Sequence, residues 1–200
     1  MEQAIRQVRT AYDADPQREW RRLETGAQAR LEYLITRHAL KRHLPPASAA
    51  QHLLDAGGGP GRYTIHLAAL GYQVTLFDLS PAILALARQR IAKAGPQVQQ
   101  RVAAVHEGSI TDLSRFPDAH FTAVLCLGGV LSHLTDAGAR QQAVVELRRV
   151  ARPAAPIFIS VMNRFGAYRS ALLSAVLPAS AADRHHRGRR PRRPGLLLSA

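Results

Sequence analysis

The stretch "HLLDAGGGPGRYTIHLAALGYQVTLFDLS", His52 to Ser80, decides the fold of this 200-residue chain. It sets Gly57-Gly58-Gly59-Pro60-Gly61 between two apolar runs, where residues poor at forming a core would otherwise be out of place. "AQHLLDA" before the loop has the length and apolarity of a buried strand. "RYTIHLAAL" after it has a helical period, with Gly71 as its stop. "YQVTLFD" follows as a second strand, rich in β-favouring residues.

The same alternation continues downstream. Ser80-Pro81 is a sharp helix start, Ser as N-cap and Pro at the first helical position, and "PAILALARQRIAKA" runs to Gly95. "VAAVHEG" is a third strand and "FTAVLCLGG" a fourth. Residues 136–150, "DAGARQQAVVELRRV", make an amphipathic helix with Arg148 and Arg149 in its last turn, and "APIFISVM" is a fifth strand. Parallel strands alternating with helices of this length predict a doubly wound, mostly parallel α/β sheet. Upstream, residues 1–45 are expected to be helical, with Trp20, Leu23, Ala27, Leu31, Leu34 and Ile35 at helix-like spacing. "LPPAS", Leu44 to Ser48, ends that region, because consecutive prolines cannot continue a helix.

Composition excludes several classes. Hydrophobic residues at 46% and charged residues at 20% suit a globular domain. No apolar run reaches the ~18–20 residues that span a bilayer, so no membrane partner is expected. The start "MEQAIRQVRTAYDADPQREW" has acids and no apolar core, unlike a secretory signal. A single cysteine, Cys126, excludes a disulfide framework and fits a reducing compartment, with the cytoplasm as the expected location. The net charge of +13 is unevenly placed: residues 181–200 hold six arginines against one aspartate, and His52 to Asn163 is nearly balanced. A basic flank attracts phosphate without any specific site; solvated helix faces explain the same charge.

The glycine loop carries the chemistry. In open α/β sheets, ligands bind beyond the carboxyl ends of the strands, where Asp55-x-Gly57-x-Gly59-x-Gly61 lies. Glycines there let main chain approach a ligand. The dinucleotide pattern G-x-G-x-x-G fails, because position 62 is Arg, and a frame starting at Gly59 finds Thr64. An acid two residues before the first of the alternating glycines instead resembles the first motif of the class I S-adenosylmethionine-dependent methyltransferases. "HEGSITDL" is similar to that family's segment after the third strand. "FPDAHFTAVLCLGGVLSHL" resembles its fourth strand, and "ELRRVARPAAPIFIS" its next helix and fifth strand. The resemblance covers residues 50–163. Ser109 stands where the family often has an acid, Thr122 where Asp is frequent, and "RPAAP" replaces a Pro-Gly-Gly turn.

The resemblance implies a Rossmann-like core over 49–165 with S-adenosylmethionine as cofactor. Gly57, Gly59 and Gly61 would bare the main chain and Asp55 would orient the loop. Asp78, with Leu79 beside it, would hold ribose. Ser109 and Ile110 would border adenine, and Leu127 and Gly128 the amino-acid end. "AYDADPQREWRRLE" resembles the segment that lids the cofactor in small-molecule methyltransferases, so residues 1–48 form a helical lid. Tyr12 would then reach the methionine end, and Trp20 either walls the acceptor pocket or packs on the sheet.

Methyl transfer needs alignment more than acid–base help, and a base only where the acceptor must lose a proton. His133, in "GGVLSHL" after the fourth strand, is the candidate catalytic residue; the alternative is a helix residue meeting solvent or a cap. "LGGVLS" lacks the Asn/Asp-Pro-Pro-aromatic segment of enzymes that methylate exocyclic amines of nucleic acids. Cys126 lies inside an apolar strand and is read as a buried small residue. His185 and His186 belong to no metal-ligand set, and no metal is expected. A small-molecule acceptor is expected, with RNA the alternative partner. A nicotinamide oxidoreductase and an inactive cofactor-binding remnant are the rival functions.

The family closes its sheet with two further strands after the fifth. "RFGAYRSALLSAVLPAS" has a helical pattern, and "AADRHHRGRRPRRPGLLLSA" has no period. Residues 166–200 are therefore expected to be a disordered or frameshifted basic tail without those strands, a nucleic-acid arm being the alternative.

Overall fold

The computed structural model describes residues 2–22, 24, 26–163, 165, 166 and 168. The chain divides into two compact units, Met1–Val161 and Met162–Ala200. In the second, the Gly166 N–H donates to Asn163 Oδ1 at 2.7 Å. Of the helix expected over 164–180, Phe165, Gly166 and Tyr168 are described and helical; the rest of it, and the basic tail, lie outside the described residues.

In the first unit, five parallel strands are described: β1 (His52–Ala56), β2 (Gln73–Asp78), β3 (Val102–Glu107), β4 (Ala123–Cys126) and β5 (Ile157–Ile159). Their order in the sheet is β3-β2-β1-β4-β5. The chain runs outward from β1 through β2 to β3, then returns to place β4 on the other side of β1. Asp55 accordingly stands in register with Leu76 of β2 and with Leu125 of β4. Such a reversal opens a crevice beyond the carboxyl ends of the two central strands.

The central strands are apolar on both faces because helices cover both. Leu54, Val124 and Cys126 pack with Ala143, Leu147 and Val150 of α7 (Ala137–Val150). Leu53 and Leu125, on the opposite face, pack with Tyr63 and Leu67 of α4 (Arg62–Ala69). Leu76 meets Leu84, Ala87 and Ile91 of α5 (Pro81–Lys93). The start of α5 is built as the sequence predicts: Ser80 Oγ accepts from the Ile83 N–H at 3.1 Å, with Pro81 in the first turn. Asp136 caps α7 in the same way, accepting from the Ala139 N–H at 2.8 Å.

Several expectations need correction. The N-terminal region is three helices, α1 (Glu2–Ala14), α2 (Pro16–Arg22) and α3 (Ala27–His43). The apolar face expected on α3 is turned outward, with Leu31, Leu34 and Ile35 each more than half exposed. That helix meets the core through Tyr33 and Leu40, seven residues apart and so on one face. A short helix, α6 (Pro96–Arg101), follows Gly95, because Pro96 opens a helix as readily as Gly95 ends one. The fourth strand stops at Cys126, and Gly128 and Gly129 leave the sheet with positive φ.

Arg149, in the last turn of α7, pairs with Glu146 at 2.8 Å and donates to the Leu113 and Phe116 carbonyls. Glu146 also accepts from the Leu113 N–H at 2.7 Å. Together they staple the connection between β3 and β4. Among the described residues, no helix is long and apolar enough to cross a membrane.

Candidate active site

A cavity of about 220 Å³ lies beyond the carboxyl ends of β1, β2 and β4 and is covered by residues of α1 and α2. The glycine loop forms its floor, and each glycine there has a different task. Gly57 has a φ of +73°, and a Cβ on it would lie 2.5 Å from a methyl of Val130. A Cβ on Gly58 would fall against Leu76 and 2.5 Å from the Asp55 carboxylate. Protein therefore fills the space of both missing side chains. Gly59 is the reverse case: no atom comes within 4 Å of its would-be Cβ, and the residue borders the cavity. Gly61 does not line the cavity. It caps α4 in a left-handed conformation and so turns the chain into the helix.

The two acids flank this open main chain. Asp55 is buried, and the Thr64 hydroxyl donates to its Oδ2 at 2.6 Å. Its Oδ1 is buried with no partner among the described residues, although the side chain borders the cavity. Burial pushes its carboxyl up to about 6, the nearby Asp78 charge adding to the effect. Asp78 ends β2 and ties two turns together. Its Oδ2 accepts from the Gly59 N–H at 2.8 Å, and its Oδ1 from the Ser80 N–H at 3.0 Å. Burial raises its pKa, and these two backbone donors oppose the rise.

The remaining predicted residues fall around the same space. Leu79, Ser109 and Ile110 line one end, and the Ser109 and Thr111 hydroxyls share a hydrogen bond of 2.8 Å. Gly108 precedes them without a side chain because the Phe77 ring occupies the place a Cβ would take. Leu127 and Gly128 line the β4 side, where Arg22 Nη2 stands 3.1 Å from the position of a Gly128 Cβ.

The first helix is joined to the sheet domain at several points. Tyr12 Oη and His133 Nε2 are 2.7 Å apart, their rings edge to face with centroids at 5.4 Å, and both side chains line the cavity. His133 sits in a 3₁₀ turn, Val130–His133, directly after β4 and its two glycines. Burial pushes the Tyr12 phenol up to about 12 and lowers the His133 imidazole below its ordinary value. Asp13 accepts from the Ser80 hydroxyl and from the Ala82 N–H at 3.3 Å, so it joins α1 to the start of α5. Arg9 pairs with Glu107 at 2.9 Å.

Trp20 is not among the residues that line the cavity. Its ring lies between the guanidinium groups of Arg62 and Arg90, at 4.2 and 4.4 Å from its centroid. Charged groups reaching from α4 and α5 thus hold the indole at the helix surface. Ile5, Val8, Glu19 and Arg22 line the cavity without having been singled out in the sequence. The first two share a face of α1 with Tyr12, at spacings of three and four, and that pattern was the available signal.

The site suits an adenosyl sulfonium. Open main chain at Gly59, a preset acid on β2, apolar Leu79 and Ile110, and an unpaired Asp55 oxygen offer surface and donors' partners along one cleft. Among the described residues, no group of three or more His, Cys, Asp or Glu side chains converges as a metal ion would need.

The methyltransferase domain family model matches residues 53–154, about half of the chain. Over 154 residues the chain is 35% identical to the ubiquinone biosynthesis O-methyltransferase of Xanthomonas axonopodis pv. citri (strain 306), covering 76% of this chain and 56% of that protein. The chain thus spans about half the length of the curated relatives it matches. Its fold is that of the [4+2]-cyclase SpnF, with a TM-score of 0.60 at 22% identity over 76% of this chain and 57% of that one. It is also similar to the glycopeptide N-methyltransferase MtfA in complex with S-adenosyl-L-homocysteine. There the TM-score is 0.50 at 26% identity, covering 60% of this chain and 47% of that one.

Proposed function

Because the chain belongs to the class I S-adenosylmethionine-dependent methyltransferase family, we propose that it moves a methyl group from that cofactor to a small molecule. The observation that carries this is the open face of Gly59 beside Asp78, whose carboxylate is already oriented by two backbone donors. A carboxylate has about four acceptor sites. With two of them used, Asp78 keeps lone pairs for a ribose diol. Leu79, Ser109 and Ile110 would border the adenine. Asp55 Oδ1, Leu127 and Gly128 would meet the amino-acid end, where a cationic amine would relieve the unpaired buried oxygen.

Bound there, S-adenosylmethionine supplies an activated methyl carbon on sulfur. The chain's own share is to hold the acceptor in line and keep water out. Residues of α1 cover the cleft with Ile5, Val8 and Tyr12, and a mostly apolar covered space favours a small organic acceptor over a polymer. The name of the 35%-identical relative, an O-methyltransferase, points the same way. Fold alone would not assign the reaction, since a cyclase shares it.

The test is to incubate the full chain with cofactor carrying a labelled methyl group and a mixture of cell metabolites, RNA and protein. Label in the organic-extractable small-molecule fraction is expected. Label confined to RNA or protein would overturn the acceptor class.

A further inference from the structure

β3 stands last in the sheet order, so its outer side faces no other strand among the described residues. The Gly108 N–H donates to the Asp78 carbonyl at 2.9 Å, so by alternation His106 and Ala104 turn their main-chain groups toward β2. Ala103, Val105 and Glu107 turn theirs outward. Arg88 of α5 already takes one of these, its Nη2 donating to the Val105 carbonyl at 3.1 Å. Beside this edge lies an open groove of about 340 Å³, lined by Arg88, Ile91 and Ala92 of α5, Gln99 of α6, and Val102 and Val105 of β3. His106 lies on the opposite face, against Phe116, and its Nδ1 is 2.6 Å from Arg115 Nη1. Burial, then the Arg115 and Arg88 charges, lower the His106 imidazole, so it accepts from Arg115 as a neutral ring. Arg88 and Arg115 are both exposed, and each spends its guanidinium on a neutral acceptor. Glu107, at the end of the strand, is instead paired with Arg9.

We propose that the outer side of β3 is a docking edge for an extended, acidic peptide segment of a partner protein, which adds to the sheet as a strand. An edge strand offers a row of N–H and C=O groups that another main chain matches at ~4.8 Å spacing. The incoming backbone N–H takes the Val105 carbonyl, and the Arg88 guanidinium turns from that carbonyl to a carboxylate of the peptide. The exchange leaves no polar group unpaired and replaces a neutral acceptor by a charged one, which is the stronger bond. Apolar side chains on the α5 side enter the groove beside Ile91 and Val102. Side chains on the other side meet Arg115, which favours a second carboxylate there.

Charge selects this occupant over two others. A second copy of the chain, paired edge to edge, would bring another Arg88 and Arg115 against the first pair, and cations on an edge strand oppose such pairing. A nucleic acid satisfies the cations but has no ladder of N–H and C=O groups for the strand and no apolar side chain for the groove.

The experiment uses the full chain and fluorescein-labelled peptides of about seven residues, the length of an ordinary strand. One alternates valine with glutamate, one alternates valine with lysine, and one is the acidic peptide with proline at its centre. Fluorescence polarisation should show saturable binding of the acidic peptide, with the lysine and proline forms roughly tenfold or more weaker. Arg88→Gln should weaken the acidic peptide by roughly tenfold, as for a lost charge-assisted hydrogen bond. Hydrogen exchange followed by NMR should show the Val105 and Glu107 amides slowed when the acidic peptide binds wild type, a readout that needs no variant. No saturable binding of the acidic peptide, equal binding of the proline form, or unchanged exchange at Val105 would each overturn the proposal. A uridine oligonucleotide that displaces the acidic peptide would assign the cations to nucleic acid and overturn it. So would a dimer in which the Val105 amide is already protected, since a second copy would then hold the edge.

Discussion

Asp78 Oδ2 accepts a hydrogen bond from the Gly59 N–H at 2.8 Å, which makes the end of β2 and the tip of the glycine loop a single unit. An acid so placed is held ready before any ligand arrives. Asp78→Ala should weaken binding of S-adenosylhomocysteine by ~1–3 kcal/mol, about 5- to 150-fold, as for a lost charge-assisted hydrogen bond. Asp78→Asn, which keeps one acceptor oxygen, should lose less. Calorimetry on the two variants checks the order.

Asp55 should set stability against function. Its folded pKa of about 6 lies above the ordinary 3.8, so its contribution favours folding at low pH and is lost as pH rises through that window. Above pH 6 the buried charge costs about 3 kcal/mol, an order-of-magnitude figure. Asp55→Asn should therefore be more stable than wild type at pH 7.5, with the gain shrinking as pH falls from 6 toward 4. Urea unfolding across that range measures it. A gain independent of pH would show that ionisation is not the cause. The same variant should bind S-adenosylhomocysteine more weakly.

The loop glycines should separate by phenotype. Gly57→Ala drives a methyl into Val130 and should destabilise the protein by about 1–3 kcal/mol. Val130→Ala in the same chain should recover part of that loss, since the two residues share one space. Gly59→Ala meets no protein atom and should cost only the left-handed backbone term, roughly 1–2 kcal/mol. Its ligand affinity should nevertheless fall at least tenfold, because the methyl stands in the cleft. Thermal unfolding and calorimetry, run on both variants, give the two readouts.

Cys126 should be inert. It is fully buried in β4, and burial pushes its thiol up to about 12. Aromatic disulfide reagents should leave it unmodified until denaturant is added. Rapid labelling of the folded chain would contradict its place in the core.

Much of this fold was legible because local signals and global topology agree. The alternation around Gly57–Gly61, the Ser80-Pro81 start and the apolar runs of β1 and β2 each point to one parallel sheet, and all are present. Most predicted site residues meet at one cavity for the same reason: they sit at carboxyl ends of neighbouring strands. What was not legible depends on contacts between distant segments. Leu31, Leu34 and Ile35 repeat at helical spacing, but only docking decides which face of α3 is covered. Trp20 could not be placed without Arg62 and Arg90, which come from two other helices. The glycine pattern could not say that Val130 fills the space at Gly57 while Gly59 stays open. Nor does an Arg149 at a helix end announce that it binds the Leu113 and Phe116 carbonyls.

The central claim is that the cleft over Gly59 and Asp78 takes an adenosyl sulfonium and its thioether product. Titration of the full chain with S-adenosylhomocysteine, and separately with NADH, measures this by heat. Saturable one-site binding of S-adenosylhomocysteine, weakened in Asp78→Ala, with no heat from NADH, is the expected result. Saturable NADH binding that Asp78→Ala weakens, with no response to S-adenosylhomocysteine, would contradict it.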